Sequence, residues 1–77
     1  MRVVEITKEP VELYKILKFE GLVGSGGEAK LVVGDGLVRV NGVVETRKRK
    51  KIVCGDIIEF GEDIIRIEFS AQIDKRE

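Results

Sequence analysis

Residues 21–42 read GLVGSGGEAKLVVGDGLVRVNG, and this stretch predicts most of the fold. Ser25 is followed three residues later by Glu28, which is the pattern of a capping box and predicts the start of a helix. Gly36 is well placed to end that helix, because a glycine after the last turn takes the left-handed conformation at little steric cost. The apolar stripe that this helix buries consists of Ala29, Val32 and Val33.

An earlier helix precedes this stretch. Thr7 and Pro10 predict its start, and Gly21 predicts its end. Its buried face has the i, i+3, i+4 spacing of an amphipathic helix and consists of Leu13, Ile16 and Leu17. The two short helices and the glycine-containing turn between them therefore form a unit that resembles a helix-turn-helix.

Beyond Gly36 the apolar residues alternate with a period of two, which indicates strands. Asn41-Gly42 lies between residues 38–40 and 43–45 and predicts a hairpin, because this dipeptide supplies the two positive φ angles of a type I′ turn. The short connections predict an antiparallel sheet. The other predicted strands are residues 1–6, 57–60 and 64–69.

The length and composition restrict the function. With 77 residues, the chain is expected to form one domain, residues 1–77, which is too short for a doubly wound nucleotide fold. The chain has no histidine and only one cysteine, Cys54, so we expect no zinc site and no catalytic histidine. We expect Cys54 to be a small packing residue.

The chain is also expected to be soluble and cytoplasmic. It has no apolar run near the ~20 residues that a membrane span needs, and it begins without the long apolar stretch of a signal peptide. Residues 70–77 are mostly polar and are expected to form a frayed tail.

The glycine-rich turn has the spacing of a dinucleotide-binding fingerprint, G-x-G-x-x-A, at Gly24, Gly26 and Ala29. That fingerprint requires a strand before the glycines, whereas a helix precedes them here, so no cofactor is expected. The helix that follows still favours an anion such as a phosphate at its N-terminus, because its free N–H groups and the positive end of its dipole lie at that end. Lys30 adds a full charge nearby, and whether Ser25 only caps the helix or also contacts a phosphate stays open.

The strongest functional signal is the basic segment, residues 47–51, with the sequence RKRKK. The whole chain has 14 basic and 14 acidic residues, so these five cations stand out in a chain without net charge. If the segment is extended, alternate side chains point to opposite faces, and not all of them can be buried or paired. A solvated loop or a localisation tag would explain the segment as well as polyanion binding does.

Other residues favour a polyanion that is a structured RNA. Arg39 alternates with apolar neighbours and so leaves the predicted sheet on its solvent side, and lysines of both helices point outward. Such cations around the Ser25 turn would form a phosphate-binding patch. The aromatic residues occupy mostly core-like positions, which argues against stacking on unpaired bases. They are Tyr14, Phe19, Phe60 and Phe69.

The order of these residues resembles the alpha-L RNA-binding motif, the domain named after small-subunit ribosomal protein four. The likeness is strongest to its small, stand-alone, YbcJ-like bacterial members and covers about residues 11–60. It implies an α+β domain, with two short helices packed on a small curved antiparallel sheet. It also implies non-enzymatic binding of ribosomal or tRNA-like RNA, with association with the ribosome as a further expectation. The matching residues are Ser25, Ala29-Lys30, Val33, Gly36, Val38, Val40-Asn41-Gly42 and Gly55-Asp56.

The resemblance places RNA contacts at the start of the second helix, on the hairpin and in the basic segment. Many members have an arginine directly after the serine, whereas this chain has Gly26, so one usual phosphate contact is missing. The turn alone would also favour Asn41. The implied RNA-binding residues are Ser25, Gly26, Gly27, Lys30, Arg39, Asn41, Arg47, Lys48, Arg49, Lys50 and Lys51, with Lys15 and Lys18 as further candidates.

Two other functions remain open on the sequence. The first is a protein-interaction module in which the basic segment docks an acidic partner. The second is a small RNA-modifying or hydrolytic enzyme, for which the sequence offers no catalytic pair beyond scattered carboxylates. We therefore expect no catalytic residue, no metal, no cofactor and no membrane contact, and we expect a monomer.

Overall fold

The computed structural model describes residues 1–70, so most of the predicted frayed tail, residues 71–77, lies outside the described residues. Seven strands and two helices occupy the described part. In chain order they are β1 (Arg2–Ile6), β2 (Val11–Glu12), α1 (Leu13–Phe19), α2 (Gly26–Gly34), β3 (Val38–Val40), β4 (Val43–Val44), β5 (Lys51–Ile52), β6 (Ile57–Phe60) and β7 (Asp63–Phe69).

Five of these strands form one sheet in the order β1-β7-β6-β3-β4. The pairings β3–β4, β3–β6 and β6–β7 are antiparallel, as the short connections predict. The pairing β1–β7 is parallel, with Arg2 opposite Ile65, so the sheet is mixed. The predicted antiparallel sheet is confirmed for the other three pairings. The parallel pairing was not predicted, because these two strands are neighbours in space without being joined by a short connection. A separate antiparallel pair is formed by β2 and β5.

The first helix begins later than predicted. Residues 11–12 are extended and belong to β2, so the start predicted at Thr7 and Pro10 is wrong. The side chain of Glu12, at the N-cap position, does not cap the helix. Instead, the first N–H groups of α1 donate to backbone carbonyls of the basic segment, Leu13 to Lys50 at 2.9 Å and Tyr14 to Lys48 at 3.1 Å. A distant part of the chain therefore decides where this helix starts.

The second helix and the hairpin follow the sequence signals closely. Gly36 has φ +79° and its N–H donates to the carbonyl of Val33 at 3.0 Å, which ends α2 in the predicted way. Asn41 and Gly42 have φ angles of 54° and 84°, as a type I′ turn requires. The predicted helix end and the predicted hairpin are both confirmed.

Both helices pack on one face of the sheet, so the predicted architecture is confirmed. Val32 is only partly buried against this core, and Cys54 is exposed, so the expectation that Cys54 is a packing residue is wrong. Within residues 1–70, neither helix has the length and apolar character needed to cross a membrane. The most buried core side chains are Leu13, Leu17, Ala29, Val33, Val38, Ile52, Ile58, Ile65 and Ile67.

Candidate nucleic-acid interface

The start of α2 is fixed by two side-chain hydrogen bonds. The hydroxyl of Ser25 accepts the N–H of Glu28 at 3.1 Å, which confirms the predicted N-cap. The Glu28 carboxylate accepts the N–H of Gly24 at 2.8 Å, one residue earlier than in a standard capping box. The N–H groups of Gly26 and Gly27 belong to the first turn, where the helix itself offers no acceptor. They are free to donate to an anion.

The basic segment is not extended, because the N–H of Lys50 donates to the carbonyl of Arg47 at 3.2 Å and closes a turn. The alternation of side chains considered for an extended segment therefore does not apply. Lys48 and Arg49 occupy the corner of the turn and both point toward the helices. The Cε atom of Lys48 lies 3.2 Å from the position that a Cβ on Gly34 would occupy, so this lysine lies along the end of α2.

Tyr14 lies where α1, α2 and the basic segment meet. The Nζ atom of Lys30 is 4.7 Å from the centre of its ring, and the Cζ atom of Arg49 is 5.9 Å from it. The Cδ atom of Lys18 and the Cε2 atom of Tyr14 lie 3.7 Å and 3.9 Å from the position of a Cβ on Gly26. We call the helix face the surface formed by Tyr14, Lys18, Gly26, Lys30, Lys48 and Arg49.

Two members of the basic segment have an acidic neighbour. The guanidinium of Arg47 donates to both carboxylate oxygens of Glu45, at 2.8 Å and 3.2 Å. This hydrogen bond holds the pKa of Glu45 below its ordinary value of 4.5 and raises the pKa of Arg47. Lys50 is half-buried, and its charge also lowers the pKa of Glu45. Arg47 is thus bound to a carboxylate rather than presented alone to solvent.

The two hairpin candidates are not part of the helix face. Arg39 is exposed between two buried valines, so it points to the sheet face opposite the helices, where Glu59 is its neighbour in register on β6. The amide of Asn41 donates to Asp56 at 3.0 Å and accepts the N–H of Ile57 at 2.9 Å. These bonds support a turn role for Asn41. RNA contacts by Arg39 and Asn41 stay predictions.

The remaining candidates line a cleft on the other side of α1. This cleft, between β1 and α1, has a volume of about 690 Å³, and its lining includes Lys8, Lys15 and Lys51. The Nζ atom of Lys15 lies 3.7 Å from the Oε1 atom of Glu12. The structure therefore brings Lys18, Lys30 and Arg49 together around Tyr14 near the start of α2, and it places Lys48 along the end of the same helix. Lys15 and Lys51 lie apart from them in the cleft.

Tyr14 is the residue that the sequence analysis missed, because the aromatic residues were assigned mostly to the core. A signal was present. Tyr14 and Lys18 are spaced i, i+4, each one position after a member of the buried pair Leu13 and Leu17. That spacing places them together at the border of the apolar stripe, where a helix meets its neighbour.

Comparison with known proteins identifies the family. A family model described as an S4 domain matches residues 4–68. The chain belongs to the S4 domain family. This S4 domain is 43% identical over 68 residues to the protein of Escherichia coli (strain K12) named "Putative RNA-binding protein YbcJ", and the match covers 87% of this chain and 97% of that protein. A Shigella flexneri protein named "Uncharacterized protein YbcJ" matches with the same identity and coverage.

A solved structure supports the same assignment. The solution structure of YbcJ from E. coli, described as revealing an alfaL motif involved in RNA-binding, matches this S4 domain with a TM-score of 0.69. The two chains are 42% identical, and the match covers 88% of this chain and 87% of the other. The alpha-L fold and the family predicted from the sequence are confirmed.

Proposed function

We propose that this S4 domain is a non-enzymatic module that binds structured RNA, ribosomal or tRNA-like, through phosphate and shape contacts. One observation carries the proposal. Four cations from three separate segments meet on the helix face, although the chain as a whole has no net charge. The proposal extends to a cytoplasmic protein that acts on the ribosome or on a ribosomal precursor.

The chemistry of the helix face suits phosphates. Lysine and arginine side chains supply the sequence-independent part of RNA affinity, and the free N–H groups of Gly26 and Gly27 add donors at the positive end of α2. The name of the E. coli relative and the motif described for its structure both refer to RNA binding, which supports the proposal.

The helix face suits a folded RNA better than an unpaired strand. Readers of single strands stack successive bases on several aromatic rings. The helix face has one ring, Tyr14, with two cations near it, and one further ring at its border, the exposed Phe19, over which Lys18 lies at 5.4 Å. A paired RNA presents its phosphates and its shape instead, and these are what a cationic surface recognises.

The proposed contacts differ in how the structure supports them. Lys18, Lys30, Lys48 and Arg49 act through their charges, and Ser25, Gly26 and Gly27 act through the start of α2. The other candidates stay predictions, because they lie off the helix face or close to carboxylates. They are Lys15, Arg39, Asn41, Arg47, Lys50 and Lys51.

The salt dependence of RNA binding tests the proposal. If about four phosphates are neutralised, the affinity for a mixed transfer RNA fraction should fall on the order of a hundredfold between about 50 and 200 mM salt. Fluorescence anisotropy with end-labelled RNA measures this directly. RNA affinity that does not change with salt, or polyglutamate that competes as well as ribosomal RNA, would contradict the proposal and favour docking of an acidic protein. Turnover of RNA that survives purification would contradict its non-enzymatic part.

A further inference from the structure

We infer that Tyr14 is a positioning residue for RNA binding, whose ring holds Lys30 and Arg49 as a pre-formed pair of cations. This inference rests on the proposed function and adds to it how the phosphate-binding groups are arranged before RNA arrives. Tyr14 carries no charge and is not itself one of the proposed phosphate contacts.

The two cations come from different parts of the chain and carry the same charge, so they repel one another. What they share is the ring of Tyr14, at 4.7 Å for Lys30 and 5.9 Å for Arg49. Both distances fall within the roughly 6 Å over which a cation is attracted to an aromatic ring. The ring therefore offers both cations an attraction that offsets their repulsion.

Tyr14 is itself held in place from several sides. Its backbone N–H donates to the carbonyl of Lys48, which ties it to the basic segment. Its ring lies against the start of α2 at Gly26, and it packs partly buried against the core. The ring is thus fixed relative to all three segments that build the helix face.

Fixing these cations matters because their side chains are long and flexible. A lysine or arginine that is ordered only when RNA binds loses rotamer freedom at that moment, which weakens binding. Cations already held by a fixed ring lose less. The ring should therefore raise affinity without changing the number of phosphates that are neutralised.

Two substitutions of Tyr14 distinguish the effect of the aromatic ring from the effect of an apolar side chain at this position. Tyr14→Leu removes the ring and keeps an apolar side chain, and it should weaken binding of labelled mixed transfer RNA about fivefold. Its salt dependence should equal that of the wild type. Tyr14→Phe keeps the ring and should bind as the wild type does. Lys30→Ala should instead make the plot of log affinity against log salt less steep, reducing the magnitude of its negative slope by roughly one.

A double-mutant comparison excludes general damage to the fold. In a Lys30→Ala, Arg49→Ala background, Tyr14→Leu should cause no further loss of affinity, because the cations that the ring holds are gone. A fivefold loss that persists in this background would overturn the inference, since it would show that Tyr14 acts on the fold or on RNA directly. Equal weakening by Tyr14→Phe and Tyr14→Leu would also overturn it.

The arrangement can be checked without RNA. In the wild type and in Tyr14→Phe, NMR should show the Lys30 side-chain protons shifted by the ring current, and Tyr14→Leu should abolish that shift. Absence of the shift in the wild type would overturn the inference and leave the proposed function standing. A wild type that fails to bind RNA in a salt-dependent way would overturn the proposed function and this inference with it.

Discussion

The hydroxyl of Ser25 satisfies one of the free N–H groups in the first turn of α2, at 3.1 Å from the nitrogen of Glu28. Ser25→Ala removes this acceptor and should lower the free energy of unfolding by about 1 kcal/mol. For a domain of this size the thermal midpoint should fall by roughly 4–8 °C, measured by circular dichroism. Ser25→Asn keeps an acceptor and serves as the control. If both variants have the same thermal midpoint as the wild type, the cap does not form in solution.

The pair of Glu45 and Arg47 should make stability depend on pH. The hydrogen bond from Arg47 lowers the pKa of Glu45 in the folded state below 4.5. The pair therefore stabilises the fold fully above that value and loses its contribution as the pH falls through the lower, folded-state pKa. The charge of Glu45 should affect stability although Arg47 is largely in solvent, because only 13% of the Glu45 side chain is exposed.

Chemical denaturation of Glu45→Gln and the wild type tests this dependence. The variant should be less stable near neutral pH, and the difference should shrink as the pH is lowered in steps toward about 3, where carboxylates become protonated. Arg47→Gln should show the same convergence, because it removes the other half of the pair. A difference between variant and wild type that stays constant over this range would show that the hydrogen bond does not depend on the charge of Glu45.

Among the elements, the basic segment serves the fold and the proposed interface through different atoms. Its backbone carbonyls at Lys48 and Lys50 accept the first N–H groups of α1. Its side chains at Lys48 and Arg49 belong to the helix face. Alanine keeps the carbonyls and removes the cations, so the two roles can be separated by substitution.

Replacing Lys48, Arg49 and Lys50 together by alanine should weaken RNA binding by about tenfold or more, because two or three phosphate contacts are lost. Surface substitutions usually change stability by less than about 0.5 kcal/mol each and in either direction, so the thermal midpoint should shift by no more than roughly a few degrees. A variant with Arg2, Lys8 and Arg66 replaced by alanine removes the same charge at positions that are not among the candidate RNA contacts and is the matched control. Anisotropy and thermal melts measure both variants. Equal loss of affinity in both would mean that total charge matters and position does not.

The elements also show which signals a sequence contains. The start and end of α2 and the hairpin were predictable, because a serine, a glutamate and a few glycines act over three or four residues. The start of α1 was not, because its first N–H groups use carbonyls more than 30 residues away along the chain. The β2–β5 pair was not predictable either, because strands of two residues are too short to show an alternating pattern.

At the scale of the whole molecule, the fold was more predictable than the candidate site. The two-helices-on-a-sheet architecture follows from local patterns and from the resemblance to the alpha-L motif. The helix face depends on how α1, α2 and the basic segment meet, and no local pattern contains that information. Sequence reasoning grouped Arg39 with the cations of the helices, whereas the structure places Arg39 on the opposite face of the sheet.

The parallel pairing of β1 with β7 has a consequence for synthesis of the protein. β1 is made before the other described elements, yet its partner comprises residues 63–69, so the sheet cannot close until nearly all of the described chain has emerged. The segments that build the helix face are made before that, and contacts between nearby residues form faster than distant ones. A nascent chain should therefore carry a half-assembled cationic surface close to ribosomal RNA for some seconds at typical elongation rates.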